Sequence, residues 1–144
     1  MRVLVQRSGK STVEVDNKIV GKIDEGLVLL VGFNNEDSSK NIDQMIPKIL
    51  NLRIFPDEND VMNKSILEYG GKILSISQFT LYADTKKGNR PSYINSRNKE
   101  EASKLYEEFN NKLSKYIEVQ TGIFHTDMIV NIQNVGPTTI ILEK

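Results

Sequence analysis

The sequence predicts a single α+β domain, a curved, largely antiparallel, barrel-like sheet carrying two main helices. Three observations predict it. Short runs rich in valine and isoleucine recur along the chain, separated by turn residues. Two segments place apolar residues three and four apart, the period of a half-buried helix. No repeat, low-complexity tract or Pro/Gly/Ser linker divides the 144 residues, a length suited to one domain with a real core.

Val3–Val5 reads as the first strand. Thr12–Val15 and Lys18–Ile23 flank Asp16-Asn17, two turn-prone residues that signal a tight hairpin. Leu27–Val31, bounded by Gly26 and Gly32, is short, apolar and valine-bearing, and so favours a buried strand. Asp37-Ser38-Ser39 then offers N-cap chemistry. Ile42, Met45, Ile46, Ile49 and Leu50 follow at helical spacing. Pro47 inside that stripe lacks an N–H and clashes one turn back, at about 3 kcal/mol, which predicts a kink or break.

Leu52–Phe55 is a strand candidate stopped by Pro56. Gly70-Gly71 precede Lys72–Tyr82, the clearest strand by sequence. Its period of two puts Leu74, Ile76, Gln78, Thr80 and Tyr82 on one face and Ile73, Ser75, Ser77, Phe79 and Leu81 on the other. Residues 84–97 form a polar loop. Asn98 with Glu101 caps a second helix, whose stripe is Ala102, Leu105, Tyr106, Phe109, Leu113 and Tyr116. Glu118–Thr121 is a short strand. Met128–Gln133 and Thr139–Leu142 are two more, around Asn134-Val135-Gly136-Pro137.

Composition narrows the function. Lys+Arg and Asp+Glu are both 19, so binding of nucleic acid by bulk positive charge is disfavoured and any phosphate contact must be local. Cysteine is absent, which removes disulfides, thiolate nucleophiles and cysteine metal sites. A single histidine, His125, leaves no His-rich metal site, and without a partner nearby it reads as a structural or surface residue. Asp57, Glu58 and Asp60 lack EF-hand spacing. No metal and no cofactor is expected. The N-terminus lacks signal-peptide features and no apolar run reaches the roughly 20 residues of a membrane span, so a cytoplasmic protein is expected.

Four features carry possible chemistry. Ser77-Gln78-Phe79-Thr80 sets three hydrogen-bonding side chains in four positions of a strand. It reads either as an edge strand with one wet face or as a polar site on a rigid element. Gly136-Pro137 reads as an ordinary turn, or as a cis bond, which for X-Pro costs only about 0.5–1 kcal/mol and would present bare carbonyls to a ligand. Arg7 is either a solvated strand-end residue or a fork that holds carbonyls of that loop. Lys86, Lys87 and Arg90 are a solvated loop, or the best place for a local phosphate contact.

Together these pieces resemble D-aminoacyl-tRNA deacylase of the bacterial and eukaryotic type. The resemblance lies in Val5-Gln6-Arg7, Asn51-Leu52-Arg53-Ile54-Phe55, and Met62-Asn63 with Ser65. It continues in Ser77-Gln78-Phe79-Thr80 through Thr85, Lys87-Gly88, and Arg90-Pro91-Ser92. It closes with Thr121-Gly122-Ile123-Phe124, Asp127-Met128 and Asn134-Val135-Gly136-Pro137-Thr138-Thr139. These blocks run from residue 3 to residue 142 in family order.

The resemblance implies the deacylase fold and hydrolysis of the ester between a D-amino acid, or glycine, and the 3′ adenosine of tRNA. Glycine mischarged on tRNA-Ala is included. It implies a homodimer in which each Gly136-Pro137 loop enters the partner's pocket and screens chirality. It assigns catalysis to Ser77, Gln78, Phe79 and Thr80. Substrate binding goes to Asn134, Gly136, Pro137, Thr139 and Arg7, with Phe124 and Met128 packing the adenine.

Elementary chemistry constrains the reaction beside that resemblance. No ordinary nucleophile–base pair is visible, and Thr80 attacks only if something takes its proton. The aminoacyl ester is already activated, and the neighbouring ribose 2′-hydroxyl can relay a proton or orient water. The protein then holds the ester, with backbone N–H groups near Phe79 and Thr80 for the oxyanion, each worth about 3–4 kcal/mol. Two competing readings are a noncatalytic RNA-end-binding module and a structural dimer module. Low aromatic content, 7%, and balanced charge weigh against the first.

Overall fold

The computed structural model describes residues 1–144. The first strand, β1 (Arg2–Ser8), lies antiparallel to β4 (Gly26–Gly32) and to β10 (Asn134–Glu143). Between them β2 (Ser11–Val15) and β3 (Lys18–Ile23) form the expected hairpin. Asp16 and Asn17 both take left-handed backbone, φ 49° and 61°, which suits the tight turn between twisted strands.

The main sheet has the order β10-β1-β4-β7-β8, with β7 spanning Lys72–Ser77 and β8 Val119–Thr121. It is not closed into a barrel; β10 and β8 are its free edges. A second sheet, β3-β2-β9, adds β9 (Ile129–Asn131), and a two-stranded ribbon joins β5 (Phe55–Pro56) to β6 (Met62–Lys64). Most pairings are antiparallel, but β7 runs parallel to both β4 and β8. Parallel neighbours require crossovers. Here α1 (Ser39–Leu50) lies on the link from β4 to β7, and α3 (Lys99–Leu113) on the link from β7 to β8.

Alternation along the strands divides the core into two layers. Val3, Val5, Leu27, Leu29, Val31 and Ile73 pack towards α1 and α3, with Ile42, Met45, Ile49 and Phe109 opposite them. Val28, Leu74 and Ile76 pack on the other side against Val13 and Ile23 of the second sheet. The face assignment for Leu74 and Ile76 against Ile73 therefore holds.

Helix α1 runs through Pro47 without a break, against the predicted interruption. Pro47 lies in its last turn, where the remaining ladder is short. Its carbonyl accepts from the Asn51 backbone at 3.1 Å and from the Asn51 side chain at 2.8 Å. Asn98 caps α3 as expected, accepting from the Glu101 N–H at 3.0 Å. Tyr116 falls outside that helix and is exposed. A one-turn helix, α2 (Ile66–Tyr69), is the third. Residues 52–54 are not a strand, and Pro56 ends up inside β5 rather than stopping it.

Two further boundaries differ where the function was expected to reside. The strand expected over 72–82 ends at Ser77, and Phe79–Tyr82 coil into a 3₁₀ turn. The segment 134–137 does not separate two strands. It belongs to β10, whose pairing with β1 jumps from Gln6–Thr139 to Ser8–Asn134. Val135–Thr138 thus form a four-residue excursion opposite Arg7 alone.

Candidate active site

The 3₁₀ turn is placed by a glycine. A Cβ at Gly32 would lie 2.8 Å from the Gln78 carbonyl oxygen, so only glycine lets the chain fold back across the end of β4. Gln78 N–H donates to Val31 O at 2.7 Å and closes the strand. By the geometry of a helix start, the N–H groups of Phe79 and Thr80 have no acceptor within the turn.

Beside this turn opens a cavity of about 420 Å³. Ser77, Gln78 and Phe79 form one side; Phe124 to Met128 form the other; Ile76 and Val31 lie among its apolar lining. Phe79 is 55% exposed, and its carbonyl accepts from Ser96 Oγ at 3.1 Å. Met128 is held close because Gly122 has no side chain: its sulfur occupies the space a Cβ would need. Phe124 packs on Tyr106 of α3 with ring centroids 5.8 Å apart. Burial pushes the Tyr106 phenol above its ordinary pKa, so it stays protonated and donates to the Ser75 carbonyl at 2.8 Å.

Thr80 does not line the cavity; it is exposed, and its hydroxyl accepts from the Gln78 side-chain amide. No carboxylate or imidazole is hydrogen-bonded to it, so no base is in place to activate it. His125 is a surface residue as expected, yet it also lines the cavity mouth. Arg97, which sequence reasoning missed, lines the cavity as well, and its Nε lies 2.7 Å from Glu101. Its only sequence signal is its place just before the Asn98 cap.

The excursion Val135–Thr138 is a separate structure in the same chain. Gly136 and Pro137 are exposed, joined by a cis peptide bond, and are absent from the cavity wall. Gly136 has φ 112°, a conformation suited to glycine. The ends of the excursion are tied by Thr139 Oγ1, which accepts from Asn134 Nδ2 at 2.8 Å and Gln6 Nε2 at 3.2 Å. Arg7 lies beneath: a Cβ on Gly136 would be 2.9 Å from its Nη2. Its Nη1 donates to Ile54 O at 2.8 Å, however, so the carbonyl held by Arg7 belongs to residue 54 and not to the loop. Lys86, Lys87 and Arg90 do not join the cavity; Lys86 lines a different depression with Arg2 and Tyr82. No cluster of three or more His, Asp or Glu side chains that could hold a metal is present, and no helix is long and apolar enough to cross a membrane.

Comparison with known proteins adds to this geometry. A family model described as D-Tyr-tRNA(Tyr) deacylase matches residues 4–143. A solved structure titled "c-Myc DNA Unwinding Element Binding Protein" is 37% identical. It superposes with a TM-score of 0.95 over 100% of this chain and 99% of that one. A second, titled as a probable eukaryotic D-amino acid tRNA deacylase, is 18% identical. It shares the fold with a TM-score of 0.83 over 98% of this chain and 97% of that one. Fold, cavity and family match define the class: an aminoacyl-tRNA deacylase, an ester hydrolase. Within that class, the chain belongs to the D-Tyr-tRNA(Tyr) deacylase family.

Proposed function

We propose that this enzyme removes D-amino acids, and glycine mischarged on tRNA-Ala, from the 3′ adenosine of tRNA as a homodimer that rejects L-amino acids by shape. One observation carries the reading. The cavity has a wall from Ser77 to Phe79, whereas Gly136 and Pro137 of the same chain stand exposed outside it. A second copy supplies what is missing. Support comes from β10, an unpaired sheet edge with Ile141 60% exposed on its strand and Val135 41% exposed in the excursion.

In the dimer, the partner's Gly136-Pro137 loop enters the cavity mouth, with Asn134, Thr139 and Arg7 bracing its base. The substrate Cα sits between that main chain and the Ser77–Thr80 segment. An L side chain meets peptide groups; a D side chain points outward; glycine has nothing to clash. Phe124 and Met128 pack the adenine.

Water attacks the ester carbonyl, the bond to the ribose 3′ oxygen breaks, and that oxygen takes a proton. The N–H groups of Phe79 and Thr80 hold the developing oxyanion. Thr80 has no base beside it, so the 2′-hydroxyl of the terminal ribose orients the water and relays the proton. The enzyme acts on tRNA in the cytoplasm.

Purified protein is offered D- and L-tyrosyl-tRNA(Tyr) at equal concentration. Hydrolysis of the D ester at least about a hundredfold faster is expected, a selectivity requiring about 2.7 kcal/mol. Equal rates would eliminate shape-based rejection. The name of the 37%-identical relative, which speaks of binding a DNA unwinding element, favours one other reading, a nucleic-acid-binding module. Tight RNA binding with no hydrolysis of either ester would select it.

A further inference from the structure

A second groove, open and lined by Lys99, Glu100, Ser103, Lys104, Phe124 and His125, adjoins the cavity and shares Phe124 and His125 with it. We infer that this groove carries the phosphodiester backbone of the RNA strand as it leaves the cavity, with Lys99 and Lys104 as its phosphate contacts. The inference rests on the deacylase reading for its substrate, a 3′-terminal adenosine, and deepens it by giving the rest of the strand a route.

Covalent connectivity makes the first argument. An adenosine seated in the cavity is one phosphodiester from the next nucleotide, so the strand must exit through a surface continuous with the cavity mouth. The groove meets that condition through its common wall. The Lys86, Lys87 and Arg90 loop does not, because its depression has no residue in common with the cavity.

Charge makes the second. Lys99 and Lys104 are exposed, and neither has a carboxylate within 4 Å, unlike Lys64, Lys72 and Lys112, which are all paired. Glu100 also lines the groove, unpaired, and brings the formal charge of Lys99, Glu100 and Lys104 together to +1. The neighbouring Glu101 is already engaged by Arg97. A chain of zero formal charge therefore sets two ammonium groups without carboxylate partners on a groove continuous with the cavity.

The test compares Lys99→Glu/Lys104→Glu with Lys86→Glu/Lys87→Glu. The first readout is the Kd of an uncharged RNA minihelix ending in single-stranded CCA, measured over a salt series. The groove variant is expected to weaken binding about tenfold at low salt. Its log–log salt slope should fall by about 1.4, two contacts at about 0.7 each for single-stranded RNA. The loop variant is expected to change Kd less than twofold. The second readout is hydrolysis of a phosphate-free D-tyrosyl-adenosine, which the groove variant should cleave within twofold of wild type. An unchanged Kd in the groove variant, a larger loss in the loop variant, or an equal loss on the phosphate-free ester would each overturn the inference. Wild type that binds with the expected pattern yet hydrolyses nothing would refute the deacylase reading and leave the groove supported.

Discussion

Gly32→Ala tests whether the 3₁₀ turn is the working part of the site. The added methyl would lie 2.8 Å from Gln78 O, 3.3 Å from Leu81 Cβ and 3.4 Å from Tyr82 Cδ2. The last two are tolerable; the first falls about 0.6 Å short of ordinary contact. Backbone must therefore move, and the segment that can move is the turn, since β4 is hydrogen-bonded to strands on both sides. Overpacking of this kind costs about 1–3 kcal/mol, or about 3–10 °C in Tm for a domain of this size. A 1 Å misplacement at a reacting centre can cost about a hundredfold, so a shift of about 0.6 Å should lower kcat/KM on D-tyrosyl-tRNA by at least about tenfold. Gly70→Ala is the control. Gly70 has φ 82° at the end of α2, nothing within 4 Å of its Cβ position, and no place in the cavity wall. Its replacement is expected to lower Tm through backbone strain of about 1 kcal/mol while leaving kcat/KM unchanged. Were Gly32→Ala to lower Tm while matching Gly70→Ala in kcat/KM, the turn would be scaffold and the catalytic placement would be wrong.

Thr80→Ala should keep at least about a tenth of wild-type single-turnover rate, because no base activates that hydroxyl; abolition of turnover in a folded protein would make Thr80 a nucleophile. Tyr106→Phe removes one of two hydrogen bonds that the Ser75 carbonyl accepts, the other coming from Gly122 N–H at 3.3 Å, and should cost about 0.5–1.5 kcal/mol, read as a lower urea midpoint with unchanged m-value. Tyr82 is pushed up to about 12, first by burial and then by the negative charge of Asp37. A phenol raised in the fold favours folding below its unfolded pKa of about 10 and loses that contribution as pH climbs towards 12. Unfolding of wild type between pH 10 and 12 should therefore steepen relative to Tyr82→Phe, and superimposable curves would contradict the shift.

Much of the fold was legible because local and tertiary preferences agree. Asp16-Asn17 makes the turn that dipeptide favours, and Leu27–Val31 is buried on both faces, as a continuous apolar run requires. The parallel pairing of β7 was not legible, since strand direction is set by which crossover helix packs where. The period-two pattern continues past Ser77, yet the chain coils at Phe79 because Gly32, distant in sequence, makes room for it. Pro47 shows the converse: only three helical residues follow it, and the helix carries the one ladder bond lost to the Asp43 carbonyl without breaking. Of the expected site residues, Ser77–Phe79, Phe124 and Met128 line one cavity and Thr80 does not, while Arg97 and the Lys99–Lys104 face needed the fold to bring α3 beside residues 124–128. Arg7 lies under Gly136, but its hydrogen-bond partner, Ile54, comes from a segment no local pattern connects to it.

The ladder between β1 and β10 is intact on both sides of Val135–Thr138, with Gln6–Thr139 and Ser8–Asn134 as its abutments. Strand register is thereby decoupled from whatever those four residues do. Selection could vary Val135 at little expense to folding, while Gly136, at φ 112° and close over Arg7, is held to glycine.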